Sequence, residues 1–157
     1  MNSVLAKYTP KETIHFLQDF DVSVQTLFNF FSVHENWGKI FPAAVKRIEF
    51  GEDPRDANSK GSVRRVIAFP IILEEKITQY VQDQLIEYKI ISGIGIKDHL
   101  GTMVFIDLGN GKSRLDYKIE FAPSLPMTGF ILKNVLEKVV GEGVREAARK
   151  LRLDPRF

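Results

Sequence analysis

The 157-residue sequence contains no cysteine, which removes disulfides, thiol nucleophiles and thiolate metal sites in one step. Histidine is scarce as well. His15, His34 and His99 stand far apart and form no HExxH or other ligand spacing, so no metal site is expected. No DxD pattern, clustered-histidine pattern or Gly-x-Ser-x-Gly elbow is present, which leaves metalloenzyme and hydrolase readings without support. No window approaches the roughly 18 apolar residues of a membrane span, and no long apolar segment opens the chain; the expectation is a cytoplasmic protein. Charge of one sign is not in excess either. The 22 Lys and Arg against 20 Asp and Glu give a net charge of +2, spread without a basic stripe, and nucleic acid is not an expected partner. Two nucleotide-like stretches break off early. Gly111-Lys112-Ser113 has Ile106 where a phosphate loop would have its first glycine, and Gly93-Ile94-Gly95-Ile96-Lys97-Asp98 lacks the third glycine of a dinucleotide fingerprint. No cofactor is expected.

What is present reads as one domain, 1–157, long enough to bury roughly two-thirds of its unfolded surface. Ile14 to Phe20 alternates like a first strand. Ser23 can cap a small amphipathic helix over Val24 to Phe31, with Leu27, Phe30 and Phe31 on one side. The only Trp, Trp37, follows in an irregular or briefly helical piece, where Pro42 disfavours helix at Phe41 and releases the chain into a strand over Val45 to Phe50. Gly51 to Lys60 is a solvated connection rich in Gly, Pro, Asp and Asn. Strands are expected at 62–69, 73–81, 85–92, 99–108 and 113–121; the connections at 82–84 and 109–112 are short enough for hairpins, so neighbours are antiparallel. After Pro126 the period becomes 3.6. Leu132, Leu136, Val139, Val140, Val144, Ala147 and Leu151 fall on one arc, with Lys138, Glu142, Arg145 and Arg149 opposite. The fold class is therefore α+β, one curved antiparallel sheet of about seven strands with a long C-terminal helix laid across it.

That order, with Asn36-Trp37, Ile40-Phe41-Pro42, Gly61-Ser62-Val63-Arg64-Arg65, Glu75, Leu85-Ile86-Glu87-Tyr88 and Asp98-His99-Leu100-Gly101, resembles the polyketide cyclase/dehydrase-type branch of the START-like (SRPBCC, birch-pollen-allergen-like) superfamily. The resemblance covers nearly the whole chain. It implies a helix-grip fold, in which the sheet wraps the last helix around an internal cavity for an apolar or amphipathic ligand.

Strand parity sends several polar residues inward. Arg65 is expected there with Val63, Ile67 and Phe69; Glu75 with Ile77; Tyr88 with Ile86 and Ile90; His99 with Met103 and Phe105. The doublets Arg64-Arg65 and Glu74-Glu75 leave their parity open, and an edge position with a snorkelling arginine is the plain alternative. A buried charge needs a partner or a wet cavity, so Arg65 and Glu75 are expected to anchor the polar end of a ligand, with His99 beside them. Phe28, Trp37, Phe41, Tyr88, Met103, Phe105 and Tyr117 are the expected wall and mouth contacts, joined by Val139 and Gly143 of the helix. Gly143 costs about 1 kcal/mol relative to Ala inside a helix; room for a ligand or close approach of a large sheet side chain would each offset that. His34 reads as an exposed loop residue.

The reading that follows is a binding, carriage or sensing protein for a hydrophobic or amphipathic small molecule, more a carrier than an enzyme. One alternative is a cofactor-free cyclase or dehydratase with Glu75 or His99 as acid/base and Arg65 stabilising negative charge. Another is a protein-interaction module. The pattern sets no oligomeric state.

Overall fold

The computed structural model describes residues 11–125 and 127–157. Alternating side chains over Glu12–Phe20 form β1, with Ile14 and Phe20 buried and Leu17 in solvent. The Ser23 hydroxyl accepts a hydrogen bond from the Thr26 N–H at 3.2 Å and so caps α1, Val24–Ser32. A 3-10 helix, His34–Lys39, leads into β2, Ala44–Glu49. Then come β3, Val63–Ala68, β4, Ile71–Val81, β5, Leu85–Ser92, β6, Ile96–Gly109, and β7, Lys112–Pro123, before α2, Gly129–Leu153. In the β6–β7 turn Asn110 and Gly111 both take positive φ, 54° and 71°, the twist that a tight hairpin requires.

All neighbouring strands are antiparallel, in the order β1-β7-β6-β5-β4-β3-β2. Consecutive strands β2 to β7 meander, and α1 with the 3-10 helix carries the chain from edge strand β1 to edge strand β2. Helix α2 approaches the sheet at β1 and β7, so the inner face of β3 to β5 meets it across a gap. This is a helix-grip fold. At the other end of the sheet α1 closes the core, where the Phe28 ring meets Phe105 edge to face at 5.0 Å and Leu27, Met103 and Leu115 are fully buried. Among the described residues no helix is long and apolar enough to cross a membrane.

Candidate functional site

Between the curved sheet and α2 lies a cavity of about 260 Å³. Its lining changes character along each strand. On β3 the inward residues run Arg64, Val66, Ala68; on β4, Glu75, Leu73, Ile71; on β5, Tyr88, Ile90; on β6, His99, then Ile96. Arg64, Glu75, Tyr88 and His99 are buried, the next residues are half-buried, and Ile71 is exposed. Leu136 and Val139 face them from α2, with the exposed Val135 at the same open end as Ile71. The inner end is polar and buried, and the mouth is apolar.

At the inner end the antiparallel register sets Arg64 opposite Glu75, and Arg64 Nε donates to Glu75 Oε2 at 2.6 Å. The guanidinium lies 4.1 Å from the Trp37 ring and 4.8 Å from that of Tyr88, a cation–π stack on both rings. Trp37 is fixed in turn, because its indole N–H donates to the Phe31 carbonyl at 2.9 Å. Burial acts against the arginine charge, but the Glu75 carboxylate and the two tyrosines outweigh it and hold the group more firmly protonated than usual. The terminal guanidinium nitrogens have no hydrogen bond among the described residues, which leaves donors for an acceptor atom in the cavity.

The Tyr88 and Tyr117 hydroxyls hydrogen-bond to each other, and burial raises both above the ordinary phenol pKa. Tyr88 fits there because Gly101 stands opposite it in the β5–β6 register; a β-carbon at Gly101 would overlap the tyrosine ring. The His99 ring lies 5.2 Å from that of Tyr88. Its Nδ1 is buried without a partner among the described residues, and burial lowers its pKa, with Glu75 opposing and Arg64 assisting, so the ring is neutral at pH 7. The arrangement offers charged and neutral donors, and a neutral imidazole, to a polar group delivered from the mouth. No group of three or more His, Asp or Glu is placed to hold a metal among the described residues.

Trp37, Phe41, Glu75, Tyr88, His99, Tyr117 and Val139 all line this cavity. Arg65 does not. It lies on the outer face, paired with Glu74 at 2.7 Å, and Arg64 occupies the inner position; Ile67 and Phe69 turn outward with Arg65. The missed signal was the Phe69-Pro70 turn: a two-residue loop there pairs Arg64 with Glu75 and Arg65 with Glu74, so an inward Glu75 requires an inward Arg64. Phe28, Met103 and Phe105 point inward but belong to the solid core beneath α1, since parity gives the face and not which helix covers it. Gly143 is packed against the Phe41 ring, which its β-carbon would overlap, so close approach explains it. His34 is buried, with Nε2 3.4 Å from Ser62 Oγ and Nδ1 without a partner among the described residues. The 3-10 helix folds it under the β2–β3 connection, and burial pushes its pKa down to about 3.

Residues 12–153 match the family described as polyketide cyclase / dehydrase and lipid transport. No curated protein matches the sequence. Among solved structures, the chain is similar in fold to a START superfamily protein from Mycobacterium smegmatis, with TM-score 0.74, 13% identity, and 88% of this chain and 98% of that one covered. Norcoclaurine synthase from Thalictrum flavum in complex with dopamine and hydroxybenzaldehyde aligns with TM-score 0.71 and 15% identity over 98% of this chain and 94% of its own. The Zhui aromatase/cyclase from Streptomyces sp. R1128 aligns with TM-score 0.69 and 14% identity over 90% and 96%.

Proposed function

The chain belongs to the polyketide cyclase / dehydrase and lipid transport family, and from that premise we propose that it binds a small amphipathic molecule with its polar end inward. The observation that carries this is the gradient along the cavity, from Arg64, Glu75, Tyr88 and His99 at the buried end to Ile71 and Val135 at the mouth. Arg64 and Glu75 already neutralise each other. A ligand carboxylate would bring an uncompensated charge into a desolvated site, whereas a carbonyl, phenol or alcohol could accept from Arg64 or meet His99 at no such cost. About 260 Å³ sits near the lower bound of ordinary small-molecule sites, ~300 Å³, which favours a compact aromatic or short-chain molecule over a two-chain lipid.

The test is a displacement titration of a fluorescent apolar probe by matched neutral and carboxylate ligands. Neutral ligands should compete about tenfold better or more, and Val66→Phe should abolish probe binding while leaving the fold intact. Probe binding unchanged in Val66→Phe, or carboxylates preferred, would overturn the reading.

One observation favours a second reading, cofactor-free acid/base catalysis. The neutral His99, whose Nδ1 has no partner among the described residues, stands beside Arg64 and two tyrosines and supplies a base, an anion stabiliser and hydrogen-bond donors in one buried site. Glu75 is already engaged by Arg64. Turnover lost in His99→Phe with neutral-ligand binding retained would select this reading over carriage.

A further inference from the structure

Three segments converge on the mouth of the cavity. The β3–β4 tip closes with Ala68 paired to Ile71, and both residues line the cavity. The β5–β6 loop passes beside it, since a β-carbon at Gly93 would press on Leu73. That loop is tied to the third segment by a hydrogen bond from the Ser124 N–H to the Gly95 carbonyl, 2.9 Å, and the third segment runs on into the first turns of α2, which supply Val135 to the opening.

Each segment presents large apolar side chains to solvent rather than to the core. Phe69 is 93% exposed, Ile94 91%, Met127 96% and Phe130 72%, and the half-exposed Ile71 and Val135 continue the surface into the cavity. An apolar patch of this kind marks an interaction site. Its charge says which kind. Residues 66–73, 90–97 and 124–135 contain no Asp or Glu, although an even spread of the chain's 20 carboxylates would place three or four there; their only charges are Lys97 and Lys133. Lys133 reaches Glu12 at a loose 3.9 Å from the flank, and the exposed Asp98 lies just outside the second segment.

We propose that this rim docks on a lipid bilayer bearing anionic headgroups, with Phe69, Ile94, Met127 and Phe130 entering the headgroup boundary and the two lysines meeting the negative surface. Apolar side chains bordered by cations, with carboxylates absent, are the pattern of an interfacial membrane contact. Docking there opens the cavity onto hydrocarbon, so an apolar ligand passes between bilayer and protein without crossing water. The purpose of docking rests on the proposed cavity function, but the surface itself does not.

The experiment is co-sedimentation of the full chain with vesicles of phosphatidylcholine alone or mixed with phosphatidylglycerol. The wild type should bind the mixed vesicles, and more weakly the neutral ones, with binding reduced by added salt. The triple variant Phe69→Ser/Met127→Ser/Phe130→Ser should lose about tenfold or more in vesicle affinity. The control Leu17→Ser/Phe50→Ser, which removes exposed apolar side chains elsewhere, should bind as the wild type does. Probe binding in the cavity, measured on the same triple variant, keeps the two proposals apart: retained probe binding with lost vesicle binding supports docking, and vesicle binding without any probe binding leaves docking standing while the cavity reading falls. Wild type that ignores both vesicle types overturns the proposal, as does a triple variant that binds unchanged. A concentration-dependent dimer abolished by the triple variant, with no vesicle binding, would assign the rim to a second copy of the chain and overturn it too.

Discussion

One register step separates two ion pairs on the β3–β4 hairpin. Arg64 and Glu75 meet at 2.6 Å on the inner face, with side chains 2% and 11% exposed; Arg65 and Glu74 meet at 2.7 Å on the outer face, 46% and 25% exposed. The contact geometry is nearly the same and the surroundings are opposite. Outside, water screens both charges, and the pair can be made or lost with little consequence. Inside, each charge survives only because the other is there, and the two aromatic faces around Arg64 fill the space that water would otherwise take. A costly inner pair with unfilled donors is a reason to look for a ligand there.

The largest effect that tests this difference is removal of one inner partner. Glu75→Gln should destabilise by about 3 to 5 kcal/mol in urea unfolding, because Arg64 is left charged and unmatched in the buried end of the cavity, and Arg64→Met should do comparable harm. The double variant Arg64→Met/Glu75→Leu should lose less than the worse single one. Small additive losses in that cycle would mean that water reaches the pair and that the two faces of the hairpin are electrostatically alike.

Next in size are two glycines that admit the aromatic rings around the pair. Gly101→Ala forces Tyr88 off its place beside Arg64 and away from Tyr117, and overfilling of this kind costs about 1 to 3 kcal/mol. Gly143→Ala displaces the Phe41 ring, which stacks on Trp37 at 5.3 Å, but a helical alanine recovers about 1 kcal/mol of propensity. Thermal melts should therefore rank Gly101→Ala below Gly143→Ala, and the reverse ranking would show that Tyr88 has room to move.

The inner charge also reaches two buried histidines, since Arg64 is among the causes that lower His34 and His99 below the ordinary imidazole pKa, after burial itself. The folded chain refuses a proton on His34 until about pH 3, whereas the unfolded chain accepts it near 6.5. In that window the unfolded state binds more protons, so stability falls as pH drops, by up to about 1.4 kcal/mol per pH unit for this one group, and the group contributes no slope above the unfolded pKa. His99 acts with the same sign. His34→Asn should flatten the acid side of the stability profile measured against the wild type, while Arg65→Met should leave its slope alone. An unaltered slope in His34→Asn would put that ring in water.

The order of elements, the antiparallel meander and the apolar arc of α2 are legible in the sequence because each rests on a local period or a turn signal. Tyr88 and Tyr117 follow from unambiguous alternation, and Glu75 from its company with Ile77. The doublet Arg64-Arg65 cannot be ordered by alternation alone, since either member satisfies it; the tight turn at Phe69-Pro70 pairs Arg64 with Glu75, and the inward Glu75 then brings Arg64 inside with it. Phe28, Met103 and Phe105 fail for another reason, that an inward residue borders either solid core or cavity according to which helix lies over it. His34 is hidden by a long connection whose path no local signal dictates. Gly101 carries a trace of its role only once its cross-strand partner is known to be Tyr88.

The smallest expected effect completes the comparison. Arg65→Met and Glu74→Leu each remove one end of the outer pair, which lies in solvent on the strand face away from the cavity. Each should change stability by about 1 kcal/mol or less, with a coupling of about 0.2 to 1 kcal/mol in the double-mutant cycle. That coupling should shrink in high salt, because the Debye length falls from about 10 Å at 0.1 M to about 3 Å at 1 M. The inner coupling should barely respond to the same salt, since a buried pair is screened far less than an exposed one. Probe affinity should be untouched by either outer substitution. If salt weakens both couplings equally, the inner pair is hydrated, and the charge argument for a neutral ligand group fails with it.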